Sequence, residues 1–316
     1  NYDRFRLELK NLYGTIELSD KAIRASQSSV GAFVNLLDAE MEGLLKASKF
    51  NLGRMLYGDG SGKIATVTAQ GDSNNKVVVA SVKNLMEGMV VDVYNGSANT
   101  VREGLKGVRI TSVDRAAKTV TFGGVSGASV TNGDYITVQG SKDNELTGLS
   151  AIFSDKDLYG LSRSGREWMK SGSKSGVGQI SFVGMQSAID EVAEVSGGAI
   201  GMIVCAYDVR RFYLDSCMSA RMNVDYMNLD GGYKAVTFNG IPVVADKFVE
   251  DGTMYMLNTG DFKLHQLCDW RWLEGDGGRV IKQKAGSATY SATLVKYADL
   301  ICDKPIGQYK LSGITA

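Results

Sequence analysis

The sequence predicts an α+β protein whose body is interrupted by an all-β domain. Three observations lead to this class. One amphipathic stretch beginning at Ser28 or Ser29 continues for about 30 residues, enough for a single helix of roughly 45 Å. Short β-rich runs then fill residues 63–143. From residue 144 onward, helical and strand-like segments alternate.

The N-terminal part, residues 2–18, alternates apolar and charged side chains and is predicted to be extended. The apolar positions change from odd to even numbers around Gly14, which indicates a bulge or kink in a long strand. Such a strand needs a neighbour, and another subunit is one candidate. Ser19 is the predicted N-cap of a short helix over "LSDKAIRAS".

In the long helix, apolar residues recur at spacings of three, four and seven, which is typical of a helix that packs by one face. Gly31, Gly43 and Gly53 each cost about 1 kcal/mol of helix propensity relative to alanine. We therefore expect these glycines to mark close contacts with other elements.

The glycine-rich segment "YGDGSGK" after this helix is not a phosphate-binding Walker loop. Only three residues separate Gly58 from Gly62, where a Walker loop has four, and Ile64 follows Lys63 in place of Ser or Thr. We interpret the segment as the exit of the helix.

Five strand-like runs in residues 63–143 predict a small antiparallel barrel or sandwich. The runs are "KVVVASV", "GMVVDVY", "GVRITSVD", "KTVTFGG" and "GDYITVQG". Sugar binding has no support in the sequence, because the region shows neither an aromatic platform nor an acidic cluster. We interpret it as an inserted structural domain.

The second half of the chain predicts an α/β module. Its polar stretch "SRSGREWMKSGSKSGVG" predicts a mobile loop. The next segment predicts an amphipathic helix that stops at Gly197, followed by the buried strand "AIGMIVCA" and a helix with Asp208 near its start. Two further strands are expected around Pro305.

Composition excludes several classes of protein. Lys plus Arg total 35 and Asp plus Glu total 35, so the net charge is zero and the basic surface of a dedicated nucleic-acid binder is missing. No apolar run approaches the ~20 residues of a membrane span. No signal peptide is recognisable, so synthesis in the cytoplasm is expected.

Catalytic and metal-binding patterns are also missing from the sequence. His265 is the only histidine, so no two-histidine metal site can form, and we interpret it as a structural residue of a strand. Asp190 and Glu194 have helical spacing and are interpreted as a solvated face. The four cysteines, expected to be free, reduced and mostly buried, are Cys205, Cys217, Cys268 and Cys302. We predict no enzyme activity, no cofactor and no metal site.

Two distant segments, "MLYGDGSG" and "NELTGLSAIF", resemble one interrupted motif of the major capsid proteins of tailed bacteriophages, which have the Hong Kong 97 type fold. In that family a long spine helix ends in a Gly-Asp-Gly loop that leads directly into an Asn-x-x-Gly-Leu segment. The matching residues here are Gly58, Asp59, Gly60 and Gly62 in the first half, and Asn144, Gly148 and Leu149 in the second.

Other segments extend the resemblance to nearly everything outside the insert. "LYGTIELSDKAIRAS" is similar to the returning strand of the family's extended loop and its short helix, and "FNGIPVVAD" is similar to a strand turn of the axial domain. The implied domains are residues 1–26 (returning strand and short helix), 27–62 (spine helix of the peripheral domain), 63–143 (inserted barrel-like domain), 144–180 (peripheral continuation and mobile loop), 181–275 (axial domain) and 276–316 (C-terminal strands).

The resemblance implies a structural protein of the virion, made in the host bacterial cytoplasm, whose pentamers and hexamers form an icosahedral head around double-stranded DNA. Its implied partners are further copies of itself, scaffolding, portal or decoration proteins, and packaged DNA in non-specific contact, with no membrane. By analogy the insert steadies contacts within a capsomer. Two alternatives stay open: an encapsulin-type compartment with protein cargo, and a tail-associated adhesin whose insert binds glycans.

Overall fold

The structure is a computed structural model that describes residues 3–26, 30–72, 75–124, 129–220, 225–229, 233–275 and 278–316. These residues form three parts: a long helix packed on a four-stranded sheet, a β-barrel, and an α/β body. The predicted α+β class is confirmed.

The long helix α2 spans Val30–Met55 as one uninterrupted element of 26 residues, about 39 Å long. Its predicted start at Ser28 or Ser29 lies outside the described residues. The short helix α1, Asp20–Ser26, precedes it, and the Ser19 hydroxyl caps α1 by accepting from the N–H of Ala22 at 3.2 Å. The sheet beside α2 consists of β1 (Lys10–Ser19), β15 (Phe262–Trp272), β16 (Lys282–Gln283) and β17 (Thr289–Cys302), with β17 between β1 and β15.

The predicted bulge at Gly14 is wrong. Strand β1 pairs with β17 in an unbroken antiparallel register over its whole length, and Gly14 lies opposite Leu294. Leu9 is half-buried and Leu12 is buried, so the change from odd to even apolar positions falls between residues 9 and 12, where β1 begins. A Cβ on Gly14 would lie 2.6 Å from Cδ1 of Leu44, so this glycine lets α2 approach the sheet.

The partner of β1 belongs to the same chain, so this pairing needs no second subunit. Among the helix glycines, Gly53 is closely packed, because an added Cβ would lie 2.7 Å from the ring of Phe248. Gly43 faces open space, so the expectation of close packing is wrong there. The surroundings of Gly31 lie outside the described part of the chain.

The β-rich region forms a small antiparallel barrel. Its strands are β2 (Lys63–Thr66), β3 (Lys76–Val78), β4 (Val90–Tyr94), β5 (Val108–Asp114), β6 (Thr119–Phe122) and β7 (Tyr135–Val138), in the order β2-β7-β4-β5-β6-β3. An antiparallel bridge between Val67 and Val79 joins the two end strands and closes the sheet. The barrel has its own buried core of valine, isoleucine, leucine and phenylalanine side chains.

The α/β body contains a seven-stranded sheet in the order β11-β12-β13-β10-β14-β18-β8. These strands are β8 (Gly172–Lys174), β10 (Met202–Cys205), β11 (Tyr226–Leu229), β12 (Tyr233–Phe238), β13 (Ile241–Ala245), β14 (Met254–Leu257) and β18 (Tyr309–Leu311). A separate pair is formed by β9 (Gly178–Gln179) and β19 (Ile314–Thr315). The helices here are α3 (Leu149–Ile152), α4 (Phe182–Ser196) and α5 (Tyr207–Ser219).

Helix α4 ends at Gly197, as its sequence predicts, and it begins at Phe182 within the predicted segment. Ser181 caps its first turn by accepting from the N–H of Gly184 at 3.0 Å, and Gly197 ends it in the left-handed conformation with φ 64°. Asp208 lies in the first turn of α5, as expected.

The predicted mobile loop in residues 162–178 is wrong. Strand β8 pairs in parallel with β18, and β9 pairs in parallel with β19. Met169, shortly before β8, is completely buried in the core of the α/β body. Pairing with the C-terminal strands thus orders a polar segment that has no apolar pattern of its own.

Candidate functional site

The two halves of the interrupted motif meet at the C-terminal end of α2. The N–H of Leu149 donates to the carbonyl of Leu56 at 2.8 Å, and the hydroxyl of Ser150 donates to the carbonyl of Tyr57 at 2.7 Å. These bonds satisfy carbonyls that a helix end leaves without an intrahelical partner. Residues more than 90 positions apart therefore form one junction.

Gly148 lies directly against the end of α2. A Cβ at this position would lie 2.3 Å from the carbonyl oxygen of Met55 and 2.6 Å from that of Gly58. Its φ is −87°, which any residue can adopt, so the requirement for glycine comes from the close approach of two backbones.

The barrel leaves and re-enters the chain at neighbouring points. The N–H of Asp143 donates to the carbonyl of Ser61 at 3.0 Å. Gly62 has φ 78°, and a Cβ there would lie 2.5 Å from the carbonyl oxygen of Ser141. The carboxylate of Asp59 accepts from the N–H of Ser61 at 3.0 Å, so this N–H of the glycine-rich loop is bonded within the protein and not available to a phosphate.

A buried ion pair joins α2 to the segment after the barrel. Arg54 and Glu145 are 4% and 3% exposed, and the guanidinium donates to the carboxylate with both terminal nitrogens, at 2.8 and 2.5 Å. This two-point geometry is specific to arginine with a carboxylate. It fixes Glu145, and hence the start of the second half of the motif, to the last turn of α2.

Asp299 connects the same segment to the central strand β17. Its buried carboxylate accepts from the N–H groups of Thr147 at 2.7 Å and Leu300 at 2.8 Å. Burial raises the pKa of Asp299, and these hydrogen bonds oppose the shift in part. Buried polar contacts thus fix the segment after the barrel both to α2 and to the four-stranded sheet.

Several large apolar side chains are exposed, and they are candidates for contacts between subunits. In the hairpin of β11 and β12, Tyr226 is 63% exposed and Tyr233 is 75% exposed. Strand β11 is at the edge of the seven-stranded sheet, so its outer backbone groups have no strand partner among the described residues. On the four-stranded sheet, Tyr13 and Leu267 are the most exposed, at 73% and 76%.

The residues considered for catalysis do not form a site. His265 lies on β15 with its side chain exposed, and Asp190 and Glu194 are exposed on α4. The four cysteines are free thiols, of which Cys268 is half-buried and the others are buried. Over the described residues no group of three or more His, Cys, Asp or Glu is placed to hold a metal. In the same part of the chain, no helix is long and apolar enough to span a bilayer.

No protein-family model matches the chain, and no curated protein matches it. Among solved structures it is similar to the capsid asymmetric unit of cyanophage A-1(L), with 15% identity, a TM-score of 0.45, and coverage of 56% of this chain and 61% of that one. It is also similar to the holo-SrpI encapsulin complex of Synechococcus elongatus, with 13% identity, a TM-score of 0.39, and coverage of 53% and 56%.

A third similar structure, of Gordonia phage Cozz, has 11% identity and a TM-score of 0.42, and the match covers 98% of this chain and 71% of that one. The chain spans little more than half the length of the first two structures. These structures include both a phage capsid and an encapsulin.

Proposed function

We propose that the chain is a subunit of a closed protein shell of the Hong Kong 97 type, and that this shell is the DNA-enclosing head of a tailed bacteriophage. The junction at the end of α2 carries the proposal. Residues 58–62 and 144–149, which resemble two halves of one capsid motif, lie side by side although about 80 residues separate them in sequence.

The architecture suits a shell wall. A helix of about 39 Å lies along a sheet whose central strand has 14 residues, and together they make a stiff, elongated element. Exposed apolar side chains on two sheets offer separate surfaces, as heterologous contacts in closed rings require. A net charge of zero is compatible with DNA that must slide during packaging, because a basic lining would bind it tightly.

In this proposal residues 1–62 and 144–180 contribute the peripheral domain, with α2 as its spine helix. Residues 181–275 form the axial domain near the local symmetry axis, and residues 276–316 supply the C-terminal strands. Pentamers and hexamers of the chain build the shell. Scaffolding, portal and decoration proteins are its proposed partners during and after assembly.

Electron microscopy of the purified protein tests the proposal. Spherical shells are expected, and a protein found only as a monomer or trimer that binds glycans would contradict the shell and favour an adhesin. Shell contents distinguish the two kinds of compartment: DNA that survives external nuclease indicates a phage head, whereas a protein cargo without DNA indicates an encapsulin. The assay requires particles from infected or lysogenic cells, because empty shells carry neither.

For the barrel, residues 63–143, we propose that it steadies contacts within a capsomer. Deleting residues 64–143 is a clean test, because Ser61 and Asp143 are joined by a hydrogen bond of 3.0 Å and the body closes without the insert. Shells of the deletion variant are expected to dissociate at a lower temperature than the parent shells. Equal heat resistance would refute this role.

A further inference from the structure

We infer that Lys83 clamps the barrel to the α/β body, and that Lys63 and Lys142 fix the two ends of the barrel beside its linkers, so that barrel and body form one rigid unit. The clamp lies within a single chain. It therefore holds whether the protein forms a phage head, a cargo compartment or no shell.

Open space on two sides of its base shows that the barrel does not rest on a continuous apolar interface. A cleft of about 640 Å³ separates it from β1, α2 and Trp270, and a second cavity of about 290 Å³ lies between its strands and residues 248–251. Its orientation therefore depends on the two linkers and on the contacts that cross this space, such as that of Lys83.

A stack of two aromatic rings and two cations holds the two ends of the barrel in place. The rings of Tyr94 and Tyr135 are parallel to within 7°, with centroids 5.4 Å apart. Lys63 places its ammonium 4.7 Å from the centroid of Tyr135, and Lys142 places its ammonium 4.9 Å from that of Tyr94. Lys63 begins the barrel and Lys142 follows its last strand, so the two cation–π contacts fix the ends of the barrel to its own strands, next to both linkers.

The loop after β3 makes the remaining contact, through Lys83. Its ammonium donates to the carbonyl of Val249 at 3.2 Å and pairs with the carboxylate of Asp251 at 2.5 Å. Val249 is fully buried in the core of the α/β body. A contact with such a residue joins the barrel to the rigid part of the body.

The same segment, residues 246–252, also reaches α2. The ring of Phe248 meets that of Phe50 edge to face at 5.1 Å and fills the space that Gly53 leaves open. One segment thus contacts the barrel, the long helix and the core of the α/β body.

A zero-length carbodiimide cross-link tests the Lys83 contact. The reagent activates the carboxylate of Asp251, and the amine of Lys83 then forms an amide with overall loss of water. Peptide mapping is expected to find this link in the wild type and not in Asp251→Asn. The ion pair of Lys263 and Asp303 is the internal control. A sample that links the control pair and not Lys83 with Asp251 would overturn the clamp.

Trypsin measures the rigidity of the joint, because it cuts after Lys63 and Lys142, the two lysines that the stack holds. Lys83→Ala is expected to raise the rate at which these sites are cut about fivefold, the population change that corresponds to one strong surface contact. Arg115→Ala, at an exposed barrel turn, is the matched control and is expected to match the wild type. Equal rates in all proteins, compared in one assembly state, would show that the barrel is not held.

Discussion

Replacing Arg54 by methionine tests the junction at the end of α2 most directly. The substitution keeps much of the aliphatic volume and removes the cation that faces Glu145, which is 3% exposed. A carboxylate would then be buried without the two donors that reach it at 2.8 and 2.5 Å. Breaking a buried ion pair by removal of one partner costs about 3–5 kcal/mol, so we expect a loss of that size in the free energy of unfolding.

Urea denaturation followed by tryptophan fluorescence is the assay. The tryptophans are Trp168, Trp270 and Trp272, all outside the barrel, so the signal reports on the body that contains the junction. The double variant Arg54→Met with Glu145→Leu is expected to recover to within about 1 kcal/mol of the wild type, because replacing both members of a buried pair by apolar residues is often neutral.

An exposed pair provides the control. Glu42 and Lys46 lie one helical turn apart on α2 and are 66% and 74% exposed, so Glu42→Ala is expected to change stability by less than about 0.5 kcal/mol. Two results would refute the reasoning. One is a loss below about 1 kcal/mol in Arg54→Met, and the other is a double variant whose loss equals the sum of those measured for Arg54→Met and Glu145→Leu alone.

Further predictions concern glycine packing, cysteine reactivity and the pH dependence of stability. Gly148→Ala is expected to cost several kcal/mol in urea denaturation, roughly as for overpacking, because the nearest carbonyl oxygen would lie 2.3 Å from the new Cβ, whereas Gly43→Ala, with open space around it, is expected to stabilise α2 by about 1 kcal/mol. Maleimide at pH 8 is expected to label Cys268 well before Cys205, because burial raises the pKa of the Cys205 thiol to about 12; equal rates, read by mass spectrometry, would contradict the buried position. Burial raises the pKa of Asp299 above its unfolded value, so its contribution to stability is present in acid and is lost as the pH rises through the folded pKa; Asp299→Asn is expected to remove this loss, and an unchanged pH profile of denaturation midpoints would count against it.

The elements with strong periodicity or clear caps were predictable from sequence. Helix α4 carries both signals, a Ser181 cap and a terminal Gly197, and the predicted stop at Gly197 is confirmed. Strands β3 to β7 of the barrel have the same advantage, because their apolar runs are bounded by glycine, asparagine or aspartate, whereas β2 was not among the predicted runs. Local chemistry determines these elements, so a local pattern suffices to find them.

Elements that depend on distant partners were not predictable in this way. Strands β8 and β9 are polar and glycine-rich, and their pairing with β18 and β19 comes from residues more than 130 positions away. Gly14 was misread for the same reason: its role is set by Leu44 on another element, and only the structure brings the two together.

In the candidate site, too, one part was predictable from sequence and another was not. The resemblance of residues 58–62 and 144–149 to one motif was enough to predict that these segments meet. No pattern pointed to the pairing of Arg54 with Glu145 or to the stacking of Lys63 on Tyr135, because neither pair has a spacing that recurs in helices or strands. The one weak signal in the sequence is Arg54 itself, a charged residue in the last turn of the predicted helix, whose side chain needs a partner if it is buried.

The position of the barrel explains how a body can carry so large an insertion. The entropy of closing a loop grows only with the logarithm of its length, and here the ends are already held together by the bond between Ser61 and Asp143. The bonds that complete the end of α2, such as that of Leu149 with Leu56, belong to the body and do not involve the barrel. The barrel also buries its own core. Lys83 is the barrel side chain that bonds to the buried core segment of the body, and for this reason the Lys83 contact decides whether the barrel braces the protein or is merely attached to it through the linkers.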